Sequence, residues 1–228
     1  MLIAPSRQSV VVPPHHRTYG AMRVLVVASR KGGAGKTTIA LHLAVEAERA
    51  GYGPVGVVDT DAMQGLSGWW DVRQTRTPIL AQPKPDLPAA LDALHLMGCR
   101  IAIVDTPPQI TGGVSSSIDL ADLVVVPVQP SPHDLRAVGV TVTMIDALGK
   151  PMVFVINRTK PRVKLTGEAA INLSQHGTVA PIQVHDRAAY AGATVDGRAA
   201  PELDPDGLAA GEMKLLWRYI ADRLGLTP

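Results

Sequence analysis

Short runs of β-branched and apolar residues alternate along this chain with longer stretches whose apolar positions recur every three or four residues. Residues 24–28, 55–58, 101–104, 123–126 and 152–156 are runs of the first kind and predict strands. Residues 36–50, 89–97, 133–148, 166–176 and 206–224 carry the second pattern and predict helices, the fourth with Thr166 as its cap. Residues 182–184 are a candidate last strand, and Pro78, Pro83, Pro85 and Pro88 mark the segment before the second helix as a loop. This alternation predicts an α/β fold, a doubly wound and mostly parallel sheet with helices on both faces. Its ligand belongs at the carboxyl ends of the strands.

Composition narrows the picture. With 228 residues, 46% of them hydrophobic and 18% charged, the chain can bury a full core and is not a disordered protein. One domain over residues 22–228 is the simplest division. Residues 1–21, with Pro5, Pro13, Pro14, His15 and His16 and no sustained period, read as a disordered tail or as an overlong start ahead of Met22. No apolar run reaches the roughly 18 residues that cross a bilayer. The single Cys99 excludes an internal disulfide framework and any site built from several thiolates of one chain, which fits a reducing cytoplasm. A net charge of +2 is too small a bias to argue nucleic-acid contact by itself.

The chemistry concentrates where the first strand meets the first helix. Arg30-Lys31-Gly32-Gly33-Ala34-Gly35-Lys36-Thr37-Thr38 fits the phosphate-loop pattern G-x-x-x-x-G-K-[ST] only with its first Gly replaced, two cations standing there instead. Gly32, Gly33, Ala34 and Gly35 can turn backbone N–H groups around phosphate oxygens, with Lys36 as a point charge and the Thr37 hydroxyl as a magnesium ligand. The following helix adds its positive end. A P-loop nucleotide site also needs a strand-end carboxylate for the metal shell, and Asp105, after Ile101–Val104, supplies it. Asp59 and Asp61 end another strand as an i, i+2 pair. Asp61 is assigned the attacking water, and Asp59 supports the metal shell from outside its first layer.

Together these residues resemble the deviant-Walker ATPases of the ParA/MinD group, in particular the small ParA-type partition ATPases. The resemblance rests on Lys31-Gly-Gly-Ala-Gly-Lys-Thr-Thr38, Asp59-Thr-Asp61, Asp105-Thr-Pro-Pro108 and the run from Ala121 to Pro130, in that order, and it spans residues 22 to about 225. It implies ATP and Mg²⁺ as cofactors, and a homodimer formed around ATP in which Lys31 reaches the partner's nucleotide. It further implies partition of plasmid or chromosomal DNA, with nonspecific DNA as a partner and a ParB-like or other adaptor that stimulates hydrolysis; the alternative is a MinD-like switch that positions a membrane-borne or protein cargo without DNA as its matrix. Asn157 falls where the family often reads adenine, with Arg158 beside it; a simple Asx turn is the alternative for Asn157. One departure is that Asp61 is followed by Ala62-Met63-Gln64 and not by the family's usual Pro-Gln-Gly. Another is that residues 1–21 are too few for a helix-turn-helix unit.

Two partner questions remain open on sequence. Lys160, Arg162, Lys164, Arg187, Lys214 and Arg218 are candidates for DNA-backbone contact, although the basic run 158–164 could equally be a solvated loop or face the nucleotide. MinD-like relatives attach to membranes through a C-terminal amphipathic helix, and positions 213, 216, 217, 220 and 224 form one apolar stripe here. A stripe packed on the domain itself is the preferred reading, so membrane binding is not expected. Trp69 and Trp70 read as core or dimer-face anchors in preference to base-stacking platforms.

Overall fold

In a computed structural model the described residues are 19–228 apart from 85, 109–111 and 161–163. Their strands are β1 (Arg23–Val27), β2 (Val55–Asp59), β3 (Ile79–Ala81), β4 (Ile101–Asp105), β5 (Leu123–Val128), β6 (Met152–Ile156) and β7 (Thr178–Val179). They form one sheet in the order β3-β2-β4-β1-β5-β6-β7, and every pairing is parallel. The helices are α1 (Lys36–Arg49), α2 (Gly65–Asp71), α3 (Leu87–Leu96), α4 (Gly112–Asp119), α5 (Pro132–Ala147), α6 (Lys164–Ser174), α7 (Ala188–Ala193), α8 (Ala200–Leu203) and α9 (Leu208–Arg223).

Strand residues alternate between two apolar layers. Leu25, Val27, Ile101, Ile103, Val153 and Val155 face the layer containing α1 and α9, while Val24, Val26, Ala102, Val104, Phe154 and Ile156 face the one containing α3 and α5. Covering both faces is why these strands are almost uninterrupted apolar runs. The doubly wound parallel sheet is thus present as expected, and the chain reverses direction across the sheet beside β1.

The differences have local causes. Residues 79–81, expected as loop, form an edge strand; prolines are tolerated there because an edge needs fewer ladder donors. Helix α2 was hidden by its two glycines, poor helix formers, and forms because the Asp59 carboxylate receives Ser67 N–H and the indole of Trp69 is buried. The final strand lies at 178–179 and not at 182–184, since Pro181 lacks the N–H that would continue the ladder. Val184 still donates to Ile156 O at 3.0 Å. Thr166 does not cap α6; it sits inside the helix and is buried. Most of the expected tail, residues 1–18, lies outside the described residues.

Candidate functional site

Five strand ends converge on the loop between β1 and α1. Val27 is level with Asp105, and Asp59 is level with Asp105 on its other side, so the parallel register itself brings two carboxylates beside the loop. Gly35 precedes α1 at φ 98°, and a Cβ there would lie 2.1 Å from Asn157 Nδ2. Only glycine meets both conditions.

Side chains from distant strands brace the loop. Asn157 Nδ2, at the end of β6, donates to Ala34 O at 2.7 Å, and its Oδ1 accepts from Arg158 N at 2.9 Å. Gln129 Nε2, after β5, donates to Gly33 O at 2.8 Å. A peptide carbonyl and the next N–H point in opposite directions, so holding the carbonyls of Gly33 and Ala34 outward fixes the orientation of the two peptide planes that follow them. Both polar atoms of Asn157 are thus engaged with backbone. These contacts make the amide a brace of the loop, close to the turn alternative. Gln129 lies in the run from Ala121 to Pro130 that carries the resemblance, but its contact was not anticipated, since its partner is 96 residues away.

Lys36 opens α1 and is 6% exposed. Burial draws its ammonium below the ordinary lysine value, while Asp105 and Asp61 act against that shift. The Thr37 hydroxyl donates to Asp105 Oδ2 at 2.6 Å. Asp105 is fully buried and its Oδ1 has no partner among the described residues. Burial pushes its carboxyl up to about 7, with the Thr37 hydrogen bond opposing and the neighbouring Asp59 adding repulsion. A hydroxyl next to a buried carboxylate with one unsatisfied oxygen fits a hydrated Mg²⁺ ion shared with phosphates. No cluster of three His, Cys, Asp or Glu among the described residues would hold a metal alone, so such an ion depends on the phosphate oxygens as well.

Asp59 and Asp61 divide the turn after β2 between them. Asp59 accepts Asp61 N through Oδ1 at 3.0 Å and Ser67 N through Oδ2 at 2.8 Å, and is 5% exposed. Both oxygens hold the turn leading into α2. Asp61 stands at the mouth, half-buried, accepting Met63 N at 3.0 Å. In place of Pro-Gln-Gly the turn closes on Gln64, left-handed at φ 52°.

Lys31 does not point at open solvent. Its Nζ donates to Asp134 Oδ2 of α5 at 2.8 Å. Next to Thr38, a cavity of about 210 Å³ is lined by Asn157, Arg158, His185, Arg187 and Tyr190. Arg158 is exposed at its rim. Glu212 of α9 ties this wall together, accepting Arg187 Nε and Nη2 at 2.9 and 2.6 Å, the Tyr190 hydroxyl at 2.7 Å and His185 Nδ1 at 2.7 Å. Arg187 is therefore paired and held in this wall. Lys160, Lys214 and Arg218 are exposed, whereas Arg162 lies outside the described residues and Lys164 is described only as the first residue of α6. Trp69 Nε1 donates to Arg198 O and Trp70 Nε1 to Pro78 O, as befits packed anchors.

Comparison with known proteins agrees with this geometry. Residues 25–198 match the family model described as the CobQ/CobB/MinD/ParA nucleotide binding domain. A protein named maintenance of carboxysome distribution protein A from Halothiobacillus neapolitanus is 30% identical over 199 residues, covering 82% of this chain and 91% of the relative. Its namesake from Gloeobacter kilaueensis is 31% identical over 210 residues, covering 86% and 96%. Among solved structures, the MinC:MinD cell division protein complex of Aquifex aeolicus contains a chain of TM-score 0.74 at 16% identity, covering 88% of this chain and 96% of that one. At that identity the likeness speaks for the fold alone.

Proposed function

The chain belongs to the CobQ/CobB/MinD/ParA nucleotide-binding family and is an ATPase, and from that premise we propose that it is an ATP-driven positioning switch for a protein-built cargo. The observation that carries the cargo reading is the 30–31% identity, over more than four fifths of the chain, to relatives named for carboxysome distribution. This favours the protein-cargo alternative over plasmid or chromosome partition, the main sequence expectation.

The proposed cycle follows from the residues. The braced loop, the start of α1 and Lys36 bind the β- and γ-phosphates. Thr37 and Asp105 would hold Mg²⁺, which would screen the phosphate charge and offset the cost of ionising the buried Asp105. Asp61 orients the attacking water, while Asp59 keeps the Asp61 turn attached to α2. Two chains pair around ATP, and Lys31 of each neutralises charge developing on the partner's nucleotide. Pairing and hydrolysis are thereby coupled, and an adaptor on the cargo accelerates release. ATP turnover tests the assignment: Lys36→Ala, Lys31→Ala and Asp61→Ala should each lose at least roughly 100-fold, and undiminished turnover in all three would sink it. For the cargo, the hydrolysis-blocked Asp61→Ala chain with ATP should retain an adaptor and assembly proteins from lysate; retention of a centromere-binding protein in their place would return the reading to partition.

A second reading keeps nonspecific DNA as the surface on which the switch moves. Exposed Lys214, Arg218 and Arg223 along α9 favour it. Filter retention of DNA that needs ATP and falls steeply between two salt concentrations would support it; retention indifferent to nucleotide would remove it.

A further inference from the structure

Asp134 is a buried carboxylate for which the phosphate chemistry above has no use. It stands in the first turn of α5 with its side chain 3% exposed, while the Lys31 side chain that it holds is 36% exposed. Its Oδ2 accepts both Lys31 Nζ, at 2.8 Å, and the Ser131 hydroxyl, and its Oδ1 has no partner among the described residues. Two more contacts come from the same stretch of chain. Gln129 holds Gly33 O at 2.8 Å, and Thr141 Oγ1 accepts Arg30 N at 3.2 Å. Residues 129–141 therefore grip residues 30–33 at three points.

A carboxylate removed from water depends on its counter-ion, and the start of a helix compensates only part of the charge. Lys31 is the only cation recorded in a salt bridge with Asp134 among the described residues. A triphosphate makes the competing claim, with several negative oxygens in place of one carboxylate. We propose that Asp134 is a positioning residue that keeps Lys31 docked on its own chain until nucleotide phosphate draws the ammonium away, so that the nucleotide-free chain is held back from pairing. The proposal rests on the reading of Lys31 as the cation for a partner's nucleotide. Undocking leaves Asp134 with Ser131 and the helix start alone, and this cost sets the threshold for assembly.

Two measurements separate the proposal from the reading beneath it. Without nucleotide, thermal melts of wild type, Lys31→Ala, Asp134→Asn and the double variant form a cycle. Lys31→Ala should lower the midpoint, and Asp134→Asn should cancel most of that loss; strictly additive effects overturn the docking. With a nonhydrolysable ATP analogue, light scattering should find Asp134→Asn pairing at roughly tenfold lower protein concentration than wild type. An unchanged or higher midpoint overturns the holding role even if pairing itself is observed, and no pairing by wild type overturns the underlying reading while the melting cycle still judges the contact. Should Asp134→Asn fail to fold, NMR of the ¹⁵N-lysine-labelled wild-type chain decides. A slowly exchanging ammonium signal that disappears in Lys31→Ala is expected, and its absence overturns the proposal.

Discussion

Asn157 illustrates how a side chain at a site can be engaged with the backbone of its own chain. Its amide donates to Ala34 O and accepts from Arg158 N, so removing it loosens the loop and spares any base recognition. Asn157→Ala should weaken ATP, GTP and tripolyphosphate alike, by roughly tenfold for a lost buried hydrogen bond; isothermal titration showing a loss confined to adenine nucleotides would restore the adenine-reading role. The glycines, Lys36 and Thr37 were legible because their spacing within one loop is the whole signal. Gln129 and Asp134 were not, since each meets the loop from about a hundred residues away. His42 offers a second test at this scale. It is fully buried in α1, its Nδ1 faces Thr38 O, its Nε2 is unpartnered among the described residues, and burial holds its pKa down to about 4. The folded chain keeps it neutral while the unfolded chain protonates it near 6.5, so its contribution is present above pH 6.5 and is lost as pH falls toward 4, by roughly 3 kcal/mol at most. Asp105, shifted upward, slopes the other way over much of this range. The comparison is therefore between wild type and His42→Gln: urea midpoints should show the variant losing less stability between pH 7 and pH 5, and parallel curves would contradict the assignment.

Among the elements, the five long strands and the helices around them were legible because period and length agree there. The short pieces were not: α2, α7 and α8 have four to seven residues and form only because tertiary contacts hold them. Helix α2 is held at both ends. Asp59 receives Ser67 N at its start, and just past its end Arg73 is 7% exposed, bound to Glu202 by two hydrogen bonds of 2.8 and 2.6 Å, to Gly197 O at 2.6 Å and to Thr77 O at 2.7 Å. Its guanidinium also lies over the Trp69 ring. This anchors the turn carrying Asp61 to α8, which packs on α1 and α9. Arg73→Ala leaves Glu202 without its cation and two carbonyls without their donor, and should cost roughly 3–5 kcal/mol in chemical denaturation. A loss under about 1 kcal/mol would mean that the pair behaves as a surface contact.

For the molecule as a whole, the apolar stripe of α9 decides between partners. Met213, Leu216, Trp217 and Ile220 are each at most 1% exposed, packed against α1 and the sheet, which leaves the outer face to Lys214, Arg218 and Arg223. A membrane-inserting helix would need that stripe free. No helix among the described residues is long and apolar enough to cross a membrane. In the single chain Lys31 is docked on Asp134 and Lys36 is buried, so Lys31 is the loop cation that pairing would redirect to a second copy. The central claim is therefore that Lys31 acts across the pair, and mixing two inactive chains tests it most directly. Lys31→Ala retains Asp61, and Asp61→Ala retains Lys31, so a mixed dimer holds one complete site only if Lys31 works in trans. Equimolar mixing should recover about a quarter of wild-type ATP turnover, because half of randomly formed two-fold dimers are mixed and each carries one complete site of two. Turnover no higher than the mean of the two variants measured separately, with mixed dimers demonstrated, would contradict it.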